Sequence, residues 1–159
     1  MQSKLIDNAF YLGLNFNNDG TKMYTVNASA SDAVIEYILT TPYDISTAIV
    51  NNTKGVSRGG STEATQVVFN NDGTKMFIVN HAGRKSVDYY SLSTAFDVST
   101  ATRDDDDEYF ISGQEPRANT IAFNNDGTRM FIAGAGGNNK LHRIHEYSLS
   151  TGFDLSSTV

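Results

Sequence analysis

The stretch Phe69-Asn70-Asn71-Asp72-Gly73-Thr74 lies near the middle of this chain, and the same six residues recur at 16–21 and 123–128. The copies are spaced 53 and 54 residues apart. A fixed long period marks an array of similar units, so the 159 residues read as three copies of one element. Within each copy an Asp-Gly pair stands between two apolar runs. Gly accepts positive φ and Asp bonds its own backbone, so Asp19-Gly20, Asp72-Gly73 and Asp126-Gly127 read as structural hairpin turns.

The repeat extends outward from this block. Each copy continues with a base, a methionine and an aromatic: Lys22-Met23-Tyr24, Lys75-Met76-Phe77, Arg129-Met130-Phe131. A second shared block follows, seen as Tyr90-Ser91-Leu92-Ser93-Thr94-Ala95-Phe96-Asp97 and its counterparts starting at Tyr37 and Tyr147. Four short strands fit each period. The first is expected at 12–16, 66–69 and 120–123, with Phe16, Phe69 and Phe123 facing the core and Leu14, Val67 and Ile121 on the same face. The second, at 22–27, 75–80 and 129–133, is apolar enough in Met76-Phe77-Ile78-Val79 to be buried on both faces. The third is expected at 33–39, 86–92 and 143–149. A polar fourth strand at 47–56 and 107–112 suits an outer edge facing water. No segment carries a helical period over ten residues.

A four-stranded antiparallel unit repeated at fixed period predicts an all-β fold, a β-propeller with three blades in this chain. The repeats run approximately over 8–60, 61–114 and 115–159 of a single segment, 1–159. The period exceeds the roughly 40–45 residues of WD40 repeats, and the chain has no Trp. A β-solenoid competes, but its turns are shorter and need no hairpin in each period. The residues from Pro116 to Phe131 and from Tyr90 to Ala101 resemble a propeller-type repeat of phage-encoded tail-fibre and structural proteins and of bacterial surface proteins. The resemblance covers nearly the whole chain. It implies a propeller in a virion or cell-surface setting, and it implies no chemistry.

Propellers commonly have about 4–8 blades, so three should not close a ring. Residues 1–7 occupy the register of a fourth strand and are expected to complete the last blade of a neighbouring chain. Head-to-tail self-association follows, as a six-bladed dimer ahead of a nine-bladed trimer, with a filament or a fragment of a longer chain as alternatives.

Composition narrows the partners. The net charge is −6, and the 12 basic residues are dispersed, which argues against nucleic acid. No apolar run approaches the ~20 residues of a membrane span. There is no cysteine and therefore no disulfide or thiolate chemistry. No signal peptide is visible at the N-terminus. The uniform turns share one end of the blades, and loops that differ between copies share the other. Variable loops on a rigid scaffold are where binding is built. The expected binding residues are Arg58, His81, Arg84, Arg117, Asn138, Asn139 and Lys140, facing a glycan or protein partner. The run Asp104, Asp105, Asp106, Asp107 is a possible Ca²⁺ ligand set, but its spacing fits a solvated acidic loop better. No metal or other cofactor is expected. His142 and His145 fall on opposite faces of a strand, a poor metal pair. These readings favour a non-catalytic structural or binding scaffold. A propeller glycosidase or lyase is the alternative and would need converging carboxylates, for which Asp88, Glu63 and Glu115 are candidates.

Overall fold

Each Asn-Asn-Asp-Gly turn joins the first two strands of a sheet. The computed structural model describes residues 11–28, 32–57, 63–103, 108–115, 117–135 and 143–159. The fold is all-β, in three antiparallel sheets. The first holds β1 (Tyr11–Phe16), β2 (Lys22–Asn27), β3 (Ala33–Leu39) and β4 (Ala48–Gly55), in that order. The second holds β5 (Ala64–Phe69), β6 (Lys75–Asn80) and β7 (Ser86–Leu92), with β8 (Ala101–Thr102) and β9 (Glu108–Phe110) both paired to β7. The third holds β10 (Ala118–Phe123), β11 (Arg129–Gly134) and β12 (Ile144–Ser148). The fourth strand of the second sheet is therefore not the continuous 107–112 segment expected. It comes in two short pieces, and the acidic run 104–107 between them lies outside the described residues. Beside the break, the Arg103 guanidinium comes within 4.0 Å of the buried Asp88 carboxylate.

The two shared blocks meet at one end of each sheet. The Asp72 carboxylate accepts from the Thr74 amide at 2.9 Å and the Thr74 hydroxyl at 2.6 Å. Asp19 with Thr21 and Asp126 with Thr128 repeat this arrangement. The second block folds back onto the turn: Tyr43, Phe96 and Phe153 each donate a backbone N–H to the carbonyl of Gly20, Gly73 and Gly127. Asp44, Asp97 and Asp154 then cap single 3-10 turns by accepting from the amides of Ser46, Ser99 and Ser156. Two blocks about twenty residues apart in sequence thus build one structural end.

Hydrogen bonds from the threonine hydroxyl and amide hold Asp19, Asp72 and Asp126 below the ordinary carboxylate range, and the Ser99 hydroxyl does the same for Asp97. A carboxylate with a depressed folded pKa stabilises above its unfolded value and loses that contribution as pH falls through the folded one. Stability should therefore hold down to about pH 4 and decline below it. Urea titrations from pH 6 to pH 2 check this. A variant carrying Asp19→Asn, Asp72→Asn and Asp126→Asn should decline less steeply over that window, and an unchanged slope would count against the account.

The sheets pack face to face in chain order. Tyr24, Val26 and Val34 of the first sheet pack on Val67, Met76, Ile78, Tyr90 and Leu92 of the second. Phe77, Val79 and Val87, the matching positions of the second, pack on Ile121, Met130, Ile132, Tyr147 and Leu149 of the third. β6 lies in both joints, which is why Met76 to Asn80 are all buried. Polar bonds repeat across the joints as well. Lys22 Nζ donates to the Phe96 carbonyl at 2.9 Å, and Lys75 Nζ to the Phe153 carbonyl at 3.0 Å. Asn18 Nδ2 donates to the Asn71 carbonyl at 2.7 Å, and Asn71 Nδ2 in turn to that of Asn125. One expectation fails here. Leu14 is 56% exposed, while Val67 and Ile121, each packed against the sheet before it, are buried.

Candidate functional site

The first strands of the three sheets, β1, β5 and β10, lie side by side. Each is interrupted by a bulge near its start. Leu12 and Leu14 pair with consecutive residues of β2, which leaves Gly13 extra. Thr65 is extra in β5 and Asn119 in β10 by the same pattern. A bulge leaves one residue without a partner, bends the strand and re-aims a side chain. The first bulge has to be glycine. Its φ is +57°, and a Cβ there would lie 2.8 Å from the Thr65 carbonyl oxygen and 2.9 Å from the Gln66 Cα. The strands are also tied by side chains: Asn15 Nδ2 donates to the Val67 carbonyl at 3.2 Å, and Gln66 Oε1 accepts from the Ile121 amide at 2.8 Å.

The three bulges line a cleft of about 400 Å³ bounded by Leu12, Gly13, Thr65, Gln66, Asn119 and Thr120. These are the same two positions of each repeat. One histidine is fixed beside the cleft. The His81 backbone donates to the Glu63 carbonyl at 3.1 Å, and its Nδ1 lies 2.9 Å from Asn119 Oδ1. With the carboxamide oxygen as acceptor, Nδ1 is the donor of this contact, and in the neutral ring Nε2 then presents a lone pair. A neutral imidazole held in this tautomer can take a proton from water. Three of the six non-glycine residues with positive φ among those described lie at this end, and Tyr43, Phe96 and Phe153 lie at the other. Asp32, Glu63 and Lys85 have φ of +29°, +45° and +53°, conformations that non-glycine residues seldom adopt.

Neither Arg84 nor Arg117 is among the residues that line this cleft. Arg84 is held by Glu108, with Nε 2.9 Å from Oε2. Its guanidinium also lies 5.6 Å from the Phe110 ring centre. Arg117 is exposed, and its backbone N–H donates to Glu115 Oε1 at 3.1 Å. Arg58, Asn138, Asn139, Lys140, His142 and Asp104 to Asp107 lie outside the described residues. Among the described residues no group of three His, Asp or Glu side chains is placed to hold a metal ion. The candidate acids have structural duties. Asp88 is fully buried and accepts from the Ser86 hydroxyl at 2.7 Å, and Glu115 caps the Arg117 amide. Sequence reasoning passed over Thr65, Gln66, Asn119 and Thr120. Their one signal was a polar pair at the start of a strand whose later residues are apolar.

No protein-family model and no curated protein matches this sequence. Solved structures do. A putative 6-phosphogluconolactonase from Bacteroides uniformis ATCC 8492 superposes with a TM-score of 0.67 over 95% of this chain, at 10% identity. A second, from Bacteroides fragilis NCTC 9343, superposes with a TM-score of 0.66 over 99% of this chain, at 14% identity. The match covers 40% and 41% of those chains, so this chain spans less than half their length. The likeness corrects the reading of a non-catalytic scaffold and of a chain that is no enzyme. This arrangement of sheets is shared with two structures described as putative 6-phosphogluconolactonases.

Proposed function

We propose that this chain forms three consecutive blades of a β-propeller and carries a lactone-hydrolysing site in the cleft formed by the bulged strands. The observation that carries the reading is His81, fixed through Asn119 at the edge of that cleft. The fold likeness to the two putative 6-phosphogluconolactonases supports it. His81 Nε2 takes a proton from water as its oxygen bonds to the lactone carbonyl carbon. The tetrahedral intermediate collapses, the ring C–O bond breaks, and the imidazolium returns the proton to the departing alkoxide. The product is the open hydroxy acid. Gln66 uses its oxygen on Ile121, which leaves its NH₂ as a donor toward the carbonyl oxygen. The exposed Arg117, two residues before Asn119, is the cation assigned to a substrate phosphate.

Acid release from gluconolactone and from 6-phosphogluconolactone tests this, measured with a pH indicator against the spontaneous rate. His81→Gln should lower kcat/KM by about 10²–10⁴-fold on both substrates. Arg117→Ala should raise KM for the phosphorylated substrate alone. No hydrolysis above background, or an unimpaired His81→Gln protein, would overturn the proposal.

A further inference from the structure

The two joints between sheets are built from matching positions, and one of those positions differs. In the first joint Glu36 projects from β3 and is fully buried. Its carboxylate meets three donors. Lys22 Nζ lies 3.1 Å from Oε1, Asn51 Nδ2 donates to Oε1 at 2.6 Å, and the Val98 amide of the next sheet donates to Oε2 at 2.9 Å. A carboxylate is kept charged inside a protein by a cation and hydrogen bonds of this kind. In the second joint the matching position is Tyr89. Glu36 pairs with Tyr24 across its sheet, and Tyr89 pairs with Phe77. The groups that would receive a carboxylate remain. Lys75 stands for Lys22, with Nζ donating to the Phe153 carbonyl at 3.0 Å as Lys22 Nζ does to that of Phe96 at 2.9 Å. Leu155 stands for Val98, each following a capping Asp. Between them lies a cavity of about 100 Å³, lined by Lys75, Tyr89, Phe153, Asp154 and Leu155. The Glu36 carboxylate fills the matching place in the first joint.

We infer that this cavity binds a small monocarboxylate, whose two oxygens take the places of Glu36 Oε1 and Oε2. An ammonium has three N–H donors, and Lys75 gives one to Phe153, which leaves others for the first oxygen. The Leu155 amide donates to the second, as the Val98 amide does to Glu36. Size narrows the class. A cavity of roughly 150 Å³ takes benzene, so about 100 Å³ suits an acid of one or two carbons and is too small for a sugar acid. The walls suit it too. The Tyr89 ring, 5.6 Å from Lys75 Nζ at its centre, and the side chains of Phe153 and Leu155 receive a methyl group. Asp154 is the carboxylate in the lining, and it accepts from the Ser156 amide at 3.0 Å and hydroxyl at 2.6 Å. Its counterpart Asp97, next to Val98, does the same with Ser99. The first joint therefore already holds a second carboxylate beside this Asp. Lys75 directly follows the turn, so the cavity lies at the end of the sheets away from the bulged cleft. The inference does not depend on the lactonase reading.

Acetate titration at pH 7, followed by amide NMR at constant ionic strength with chloride as the balancing anion, tests it. The Leu155 amide resonance should shift and saturate. The Val98 resonance, already bonded to Glu36, should stay in place. Lys75→Met removes the ammonium and should weaken acetate binding by about 10-fold or more. Tyr89→Glu puts a carboxylate where the first joint has Glu36. Its Leu155 resonance should be displaced without acetate and should titrate no further. This second variant keeps the test readable if Lys75→Met disturbs the joint. The proposal would be overturned by the lack of a saturable shift at Leu155, by an equal shift with chloride alone, or by an equal shift at Val98. Undiminished acetate binding in either variant would overturn it as well.

Discussion

Phe77→Ala is expected to be the most destabilising single truncation in the chain, costing about 3–5 kcal/mol. Phe77 is fully buried between the second and third sheets, with ring centres of Phe123 at 4.7 Å, Tyr89 at 5.8 Å and Phe153 at 6.4 Å. Removing the ring forfeits its transfer free energy and leaves a hole that three aromatics on two sheets cannot close by a small shift. For a domain of this size each kcal/mol lowers Tm by about 2–4 °C, so a loss of roughly 10 °C follows. Phe131 occupies the same repeat position in the third sheet but is only half-buried. Phe131→Ala should cost about 1 kcal/mol in the isolated chain, because less area is lost and water fills the gap. Urea unfolding at low protein concentration separates the two. Equal costs would mean that the repeat position, and not the packing of the joint, sets the stability.

Much of the architecture is legible because the repeat is an internal alignment. The spacing of Phe69-Asn70-Asn71-Asp72-Gly73-Thr74 and its copies marks the units, and the apolar run Met76-Phe77-Ile78-Val79 marks a strand with two buried faces. The exposure of Leu14 was not legible. Its residue type matches Val67 and Ile121, which differ from it in packing against the sheet before them. The exposure of Ile144, where Val34 and Val87 are buried, was not legible either. A repeat pattern specifies what a face is made of, while burial depends on which neighbour is present. The cleft was less legible still. Bulges at Gly13, Thr65 and Asn119 arise from how the first strand of each sheet pairs with the second, and three different residue types occupy them. The reading by variable loops included His81. The partner that orients its ring, Asn119, lies 38 residues away and is brought to it by the packing of the second sheet on the third. The polar pairs Asn17–Thr21 and Asp19–Thr21, by contrast, are local and follow from the turn itself.

Gly73→Ala is the second large effect, at about 3 kcal/mol or more. Two costs add. Gly73 has φ +73°, a left-handed conformation that costs an L-residue roughly 1–2 kcal/mol. The added methyl would also lie 2.2 Å from the Phe96 ring, and overpacking costs about 1–3 kcal/mol. The ring cannot step aside freely, because it packs on Phe69 at 5.5 Å, its own φ is +59°, and its amide is bonded to the Gly73 carbonyl. The matching changes at Gly20 and Gly127 rank the contributions. Gly127→Ala should cost as much, since Phe153 is wedged against Phe123 at 5.2 Å. Gly20→Ala should cost less. Its methyl would meet Tyr43, which shares the backbone bond and φ of Phe96 but is 57% exposed, so its ring can swing into water, giving up its hydroxyl bond to the Asn18 carbonyl and its contact with the Phe16 ring at 5.4 Å. The backbone term is common to all three sites, so the difference between Gly20 and the other two isolates the packing term. If the three variants unfold at the same urea concentration, the aromatic seat contributes nothing and φ alone explains why this turn is glycine in every copy.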